Sequence, residues 1–281
     1  MAEGLSRRLV IAGGLAATPL VAFAAEGPLL QLDDRPVQGG FAIGRTRPGA
    51  RVMLDEEVLE VSPNGLFFLG FDRDAPPQAK LTVRDGRSTA EHDFSIADGK
   101  FDVQSITGLP QDTVTPEDPA LLARIAKESE RKAAGFASHV DGDDFKDGFA
   151  MPLNATRVSG RFGGQRILNG TPNRPHYGAD LAAPTGTPIH APAAGIVAFA
   201  ETGLHFEGGL VLIDHGQGLI SAYLHQSKVL VAKGDSLVRG QPIGAVGMEG
   251  RATGPHLCWR LKWRGRNLDP TLLVGAVAPR P

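Results

Sequence analysis

The sequence predicts a mainly β protein: a small β-sandwich-like unit, a helical linker, and a larger antiparallel β-sheet unit. Three observations carry that expectation. Glycine and proline are abundant, 36 and 21 of 281 residues, and cut the chain into short runs. Those runs alternate β-formers with polar residues at turn-to-turn spacings of about 8 to 12 residues, the grammar of sandwiches and barrels. One stretch carries a helix-start signal followed by apolar residues at helical spacing.

The first 24 residues read as an export signal. Ser6, Arg7 and Arg8 precede an apolar run from Leu9 to Ala24, and Ala22-Phe23-Ala24 offers small residues for cleavage before Ala25. The paired arginines point to the twin-arginine route. No later stretch approaches the roughly 18 apolar residues of a membrane span, so no transmembrane anchor is expected in the mature chain. The whole chain carries 29 basic and 31 acidic residues. Removing the signal takes Glu3, Arg7 and Arg8 with it and leaves a formal charge of −3. That balance gives no reason to expect nucleic acid as a partner. The lone cysteine, Cys258, excludes an intramolecular disulfide. In an exported chain a free thiol persists when it is buried or held by a metal.

The accessory β unit is expected over 25–105. Arg51 to Val61, Leu66 to Phe71, Lys80 to Val83 and His92 to Ile96 read as strands, with turns at Pro63-Asn64-Gly65 and Asp85-Gly86. The linker follows over 106–148. Thr115-Pro116-Glu117-Asp118 combines a capping hydroxyl, proline at the first position and acids in the first turn, which predicts a helix from about Pro116 to Ala134. Its apolar stripe would be Leu121, Leu122, Ile125 and Ala126, with Lys127, Glu128, Glu130, Arg131 and Lys132 in water. The acidic stretch at 139–148, HVDGDDFKDG, lacks the full spacing of a calcium loop and reads as a solvated loop.

The second β unit is expected over 149–275, and the polar chemistry collects there. His176 and Asp180 stand four residues apart around Tyr177-Gly178-Ala179. Gly178, Pro184 and Gly186 argue against a helix, so a loop must turn both side chains to one point. An imidazole and a carboxylate are standard zinc ligands, although this spacing alone is weak. Leu210 to Asp214 reads as a buried strand, His215 to Gly218 as its hairpin turn, and Leu219 to His225 as the returning strand ending at His225. A glycine-framed loop then delivers Pro255-His256-Leu257-Cys258-Trp259. Residues two apart on a strand share a face, so His256 and Cys258 point one way and Leu257 the other. His92, His190, His205 and His215 read as surface, packing or turn residues.

Three blocks in order now carry a resemblance: HYGADLAAPTGTPIHAPAAGIV, VLIDHGQGLISAYLHQS and GDSLVRGQPIGAVGMEGRATGPHLCW. Over about residues 149–272 the chain resembles the lysostaphin-like (LytM-like) zinc metallopeptidases, which cut peptidoglycan peptides. The resemblance implies an antiparallel metallopeptidase sheet of the duplicated hybrid motif type and one zinc ion. It makes His176 and Asp180 metal ligands and His225 and His256 catalytic histidines. The third ligand of the family pattern is the second histidine of His-x-His, and here that position holds Cys258.

Thiolate is also a good zinc ligand, at about 2.3 Å against roughly 2.0–2.1 Å for imidazole. With Asp180 it would place two negative ligands on the ion, which weakens the metal as a Lewis acid. The resemblance implies hydrolysis of peptide stems or cross-links in the periplasm or cell envelope, with a zinc-bound water as nucleophile. Two other readings use the same residues: an inactive wall-binding module that activates another wall hydrolase, and a metal sensor built on His176, Asp180 and Cys258.

Overall fold

The computed structural model describes residues 28–107, 118–154, 157–168 and 170–280. The expected export signal and the Thr115-Pro116 helix start lie outside them. Strands dominate. The first eight are β1 (Gln31–Arg35), β2 (Phe41–Arg45), β3 (Arg51–Leu54), β4 (Glu57–Leu59), β5 (Leu66–Gly70), β6 (Gln78–Asp85), β7 (Ser88–Ser95) and β8 (Val103–Ile106). They are followed by α1 (Pro119–Phe136). The later strands are β9 (Arg157–Gly160), β10 (Gln165–Leu168), β11 (Thr171–Pro172), β12 (Ala179–Ala182), β13 (Pro188–His190), β14 (Gly195–Leu204) and β15 (Gly208–Asp214). Then come β16 (Leu219–Val229), β17 (Ser236–Leu237), β18 (Pro242–Val246), β19 (His256–Trp263) and β20 (Arg266–Leu268).

The N-terminal strands form two antiparallel sheets, β1-β2-β5 and β4-β3-β6-β7. Both face one apolar cluster that includes Phe41, Phe67, Phe68, Val52 and Leu81. That cluster continues into Trp263, Leu261, Leu268 and Leu273 of the C-terminal half. Phe68 lies 6.1 Å from Trp263, ring to ring. The Gln217 side chain accepts from the Phe68 N–H at 3.0 Å and donates to the Leu66 carbonyl at 3.1 Å. Burying one such large side chain stabilises by about 1.5–3 kcal/mol, so the two halves are joined by core packing rather than by a solvated hinge.

The stretch 139–148 contributes to this junction and is not a solvated loop. Phe145 is fully buried. Asp143 is buried too, accepting from the Ser62 hydroxyl at 2.9 Å and the Asn64 amide at 3.0 Å. A carboxylate is tolerated there because neutral donors satisfy one oxygen and Lys146 Nζ stands 3.7 Å from the other.

The main sheet has ten strands, with a central order β17-β14-β15-β16-β19-β12-β9. β16 and β19 pair antiparallel from Leu219↔Trp263 to Leu224↔Cys258. Two clusters fill its sides. Val211, Ile213, Tyr223, Leu257 and Trp259 belong to one. Phe199, Leu212, Ala222, Leu224 and Cys258 belong to the other, with Phe136 of α1 packed against them.

The helix departs from its expected start and stripe. Asp118 caps it, accepting from the Ala120 N–H at 3.1 Å, and Pro119 takes the first turn. The cap-then-proline pattern is therefore used at Asp118-Pro119. Leu122 is exposed, whereas Glu128, expected in water, is 4% exposed. The charged face is held by partners on the sheet. Arg124 Nε donates to Glu128 at 2.7 Å, and the second Glu128 oxygen accepts from the His205 N–H at 2.9 Å. Lys132 meets both oxygens of Glu207 at 2.7 and 2.8 Å.

His215 lies in the hairpin turn but is fully buried. Its Nδ1–H donates to the Ala194 carbonyl at 2.5 Å, and its Nε2 accepts from the Ser221 hydroxyl at 2.7 Å, which also meets the Tyr223 hydroxyl at 2.8 Å. Burial pushes its pKa down to about 4, against the smaller opposing pull of the Ala194 carbonyl. The unfolded chain, with histidine near 6.5, binds that proton first. The contribution of neutral His215 is therefore complete above about pH 6.5 and is lost as pH falls toward 4. Melting temperatures taken from pH 7 to pH 4.5 are expected to fall, and His215→Gln is expected to start lower and fall less steeply. Identical slopes in the two proteins would contradict a buried neutral imidazole.

Candidate metal and catalytic site

The five expected site residues meet on one face of the main sheet. β12 and β19 pair antiparallel with Asp180 directly opposite Cys258 and Ala182 opposite His256. His176 enters from the segment just before β12. Its Nε2 stands 3.1 Å from Asp180 Oδ1 and 3.4 Å from Cys258 Sγ. The ligand atoms of these three residues all lie within 4.8 Å of one another. Cys258 is buried and Asp180 and His176 are half-buried, so the group opens outward from its sulfur.

Two glycines make this approach feasible. A Cβ on Gly178 would lie 2.7 Å from Arg260 Cγ and 3.2 Å from Cys258 Sγ. One on Gly160 would lie 2.5 Å from Asp180 Oδ2. Both positions need the bare backbone for close approach.

Asp180 Oδ1 tests the fit of a cation. It is buried and makes no hydrogen bond, although His176 Nε2 is 3.1 Å away. A donor nitrogen and a carboxylate oxygen this close and this poorly aligned for hydrogen bonding share a focus between them. Four tetrahedral ligands around zinc at about 2.0–2.3 Å stand roughly 3.3–3.8 Å apart; the 3.1 Å separation falls just short of that spacing and the 3.4 Å one lies at its lower end. The electrostatics agree. Burial opposes charge on His176, but its contacts with Asp180 and Cys258 outweigh that and raise its pKa to about 10. Burial likewise resists the Asp180 charge, and His176 and His256 nevertheless hold its pKa below the usual carboxylate range. The donor set attracts positive charge and fits a divalent ion.

His225 and His256 stand beside the triad, their ring centroids 4.8 Å apart. His256 Nδ1–H donates to the Gly254 carbonyl at 2.8 Å, which turns Nε2 toward Asp180 Oδ1 at 3.6 Å. His225 Nδ1–H donates to the Glu249 carbonyl at 2.8 Å and leaves Nε2 with its lone pair. The strand does not end at His225 but runs on to Val229. Its pairing with β15 slips between Gly209 and Val211, and His225 takes a left-handed φ of 65°. A non-glycine residue in that region is strained, and the bulge re-aims its ring. Burial, with smaller repulsion from His256 and Arg260, lowers the His225 pKa to about 4, so the ring is neutral near pH 7.

His92, His190, His205 and His215 remain outside the cluster. Among the described residues a second His/carboxylate group, Glu60, His139 and Asp141, lies on the surface. There Glu60 is already engaged by Arg264 and His139.

Several residues that hold the site were not singled out from sequence. Arg260 Nε donates to Cys258 Sγ at 3.4 Å. Alternation along β19 was the signal for it, since 256, 258 and 260 share a face. Arg73, from the N-terminal half, donates to the Gly163 carbonyl at 2.9 Å, and the Gly163 N–H donates to the His176 carbonyl at 2.8 Å. The His225 N–H donates to the Glu207 carbonyl at 2.8 Å, and Lys132 of α1 holds the Glu207 side chain. No local pattern announces these long-range partners.

A β-sheet bearing a half-buried His, Asp and Cys donor set beside two histidines defines a metallopeptidase-like protein. Residues 174–270, which include all five site residues, match Peptidase family M23. A Pseudomonas aeruginosa crystal structure assigned to peptidase M23 superposes with a TM-score of 0.64 at 30% identity, covering 86% of this chain and 96% of that one. The chain belongs to the M23 peptidase family.

Among curated relatives, the peptidoglycan DD-endopeptidase ShyA of Vibrio cholerae is 40% identical over 133 residues, 46% of this chain and 30% of its own length. The DD-carboxypeptidase/endopeptidase Mpg of Neisseria meningitidis is 39% identical over 140 residues, 48% of this chain and 31% of its own. The chain thus spans under a third of the length of these curated relatives.

The Lys132–Glu207 pair lies outside the family match on its helix side and inside it on the other. Both side chains are largely enclosed, at 12% and 16% exposure. Lys132→Met would leave Glu207 charged without its partner, at a cost of up to about 3 kcal/mol. Lys132→Met is expected to lower the chemical-denaturation midpoint, and Lys132→Met/Glu207→Leu to recover most of the loss. A single variant that matched the parent would make this a solvated contact of no consequence.

Proposed function

We propose that this chain is a zinc-dependent endopeptidase that hydrolyses peptide stems or cross-links of peptidoglycan in the cell envelope, after export. The observation that carries the reading is the buried Asp180 oxygen without a hydrogen bond, facing His176 Nε2 at 3.1 Å with Cys258 Sγ 3.4 Å from the same nitrogen. The name of ShyA, a peptidoglycan DD-endopeptidase, supports the substrate class, and that of Mpg an endopeptidase activity.

His176, Asp180 and Cys258 would hold the ion. Bound there, zinc supplies a Lewis acid for the scissile carbonyl and lowers the pKa of a water toward neutrality. His225 does the proton work its geometry allows. Its Nδ1 is committed to Glu249, its Nε2 carries the lone pair, and burial keeps it neutral, so it can accept a proton and return it to the leaving amine. His256, fixed through Gly254 with Nε2 toward the triad, orients the reacting oxygen and stabilises the developing oxyanion. The Arg260 N–H on Cys258 Sγ draws charge from the sulfur and offsets part of the Lewis acidity lost by replacing an imidazole.

One observation favours a second reading. Cys258 is 1% exposed within an apolar cluster, as a small packing residue would be. A site without metal would then serve wall binding or activation of another hydrolase.

Metal analysis and muropeptide release from purified 25–281 separate the two. One zinc per chain is expected, lost in Cys258→Ser and kept in Cys258→His, with higher turnover in Cys258→His. His225→Ala is expected to keep the ion and to lose about 100-fold or more in rate. Undiminished muropeptide release after chelation, or from His225→Ala, would sink the peptidase reading.

A further inference from the structure

The strand that delivers Cys258 carries two more side chains on the same face. Alternation along β19 sends Leu257, Trp259, Leu261 and Trp263 into the core, each at most 1% exposed. Cys258, Arg260 and Lys262 point the other way, toward the triad and α1. Arg260 packs over Gly178 and touches Cys258 Sγ at 3.4 Å. Lys262 sits half-buried with its Nζ 4.8 Å from the centre of the Phe136 ring.

Neither cation makes an ion pair with a carboxylate among the described residues. The contrast is Lys132, comparably enclosed, which has Glu207 at 2.7 Å. Of the acids whose charge reaches Arg260 and Lys262, Asp180 belongs to the triad and the other two are committed elsewhere. Glu207 is held by Lys132, and Asp72 accepts from the backbone N–H groups of Arg73 and Asn267. Arg260 has only the Cys258 sulfur as a partner, and Lys262 is half-buried with none, which is costly; burial followed by repulsion from Arg260 pulls the Lys262 pKa down. A divalent ion in the triad would cancel Asp180 and thiolate Cys258, so the two cations would leave this floor at a net charge of about +2.

We propose that Arg260 and Lys262 form a subsite for a free carboxylate of the substrate peptide, so that the enzyme selects peptides with an unblocked acidic group close to the scissile bond. The inference rests on the peptidase reading and names the substrate class within it. Arg260 offers a planar fork of donors and Lys262 a point charge, the two means by which proteins bind carboxylates. Strand geometry places their Cα atoms about 7 and 13 Å along β19 from that of Cys258. With the Arg260 side chain on the sulfur and the Lys262 ammonium over Phe136, the carboxylate belongs within a few residues of the bond that is cut.

Muropeptide dimers from sacculi, with peptide carboxylates free or converted to carboxamides by carbodiimide and ammonia, provide the test. The wild-type chain is expected to cleave the free-acid dimers with about ten- to a hundredfold higher kcat/KM, the worth of a charged hydrogen bond. That ratio is expected to shrink with added salt, to fall toward one in Arg260→Gln and Lys262→Met, and to be largely kept in Lys262→Arg. Equal cleavage of both dimers by the wild type, or a ratio unchanged in both neutral variants, would overturn the subsite while leaving the peptidase reading intact. Cleavage of neither dimer by the metal-loaded wild type would instead remove the peptidase reading on which the subsite depends.

Discussion

The antiparallel pairing of β12 with β19 sets Asp180 directly across from Cys258 and leaves His176 to close over both. Side-chain direction in a strand has a period of two, so a slip of one residue would turn Asp180 into the core and bring Leu181 to the site. The register is held from both edges. Leu181, Leu257 and Trp259 lock the core face, and β9 covers β12 with a glycine where a side chain would strike the Asp180 carboxylate. The arrangement of donors is a consequence of this one strand pair, and the remaining elements protect it.

That protection extends beyond the sheet. Arg73 reaches from the N-terminal half to the Gly163 carbonyl, and the same residue's N–H holds the His176 carbonyl. On the far side α1 clamps the connection between β14 and β15 at two points, Glu128 on the His205 N–H and Lys132 on Glu207. Glu207 in turn accepts from the backbone of His225, whose left-handed conformation needs such over-determination to persist. The shared core around Phe68 and Trp263 makes these contacts rigid, because a close-packed interior resists relative motion. The accessory strands and the helix therefore act as parts of the site's frame.

Charge explains why a cysteine can stand where the family pattern has histidine. As a thiolate ligand Cys258 would add one negative charge, and the same strand face places Arg260 two residues later, within reach of the sulfur. A metal-held thiolate and the guanidinium would offset each other locally, so the exchange would not leave an uncompensated buried anion. Burial of Cys258 also shields the thiol from the oxidising surroundings expected after export.

Much of this was legible in the order of residues. The mainly β class followed from glycine and proline punctuation, and strand alternation paired His256 with Cys258 and assigned Leu257 to the core. The resemblance carried by three ordered blocks singled out His176, Asp180, His225, His256 and Cys258 together, because each spacing alone was a weak signal. Other features escaped. Glu128 and Lys132 looked like a wet helix face, yet partners some 75 residues away enclose them. The stretch around Asp143 looked like a solvated acidic loop, yet Ser62 and Asn64 bring its carboxylate inside. Residue order alone pointed to the peptidase family and to the kinds of side chain at its site, since residue type and strand period are local properties. Only the tertiary structure decided which charges are buried, which pairs hold His225 and His176 in place, and which cations were left without a carboxylate, because burial and pairing depend on distant segments meeting in space.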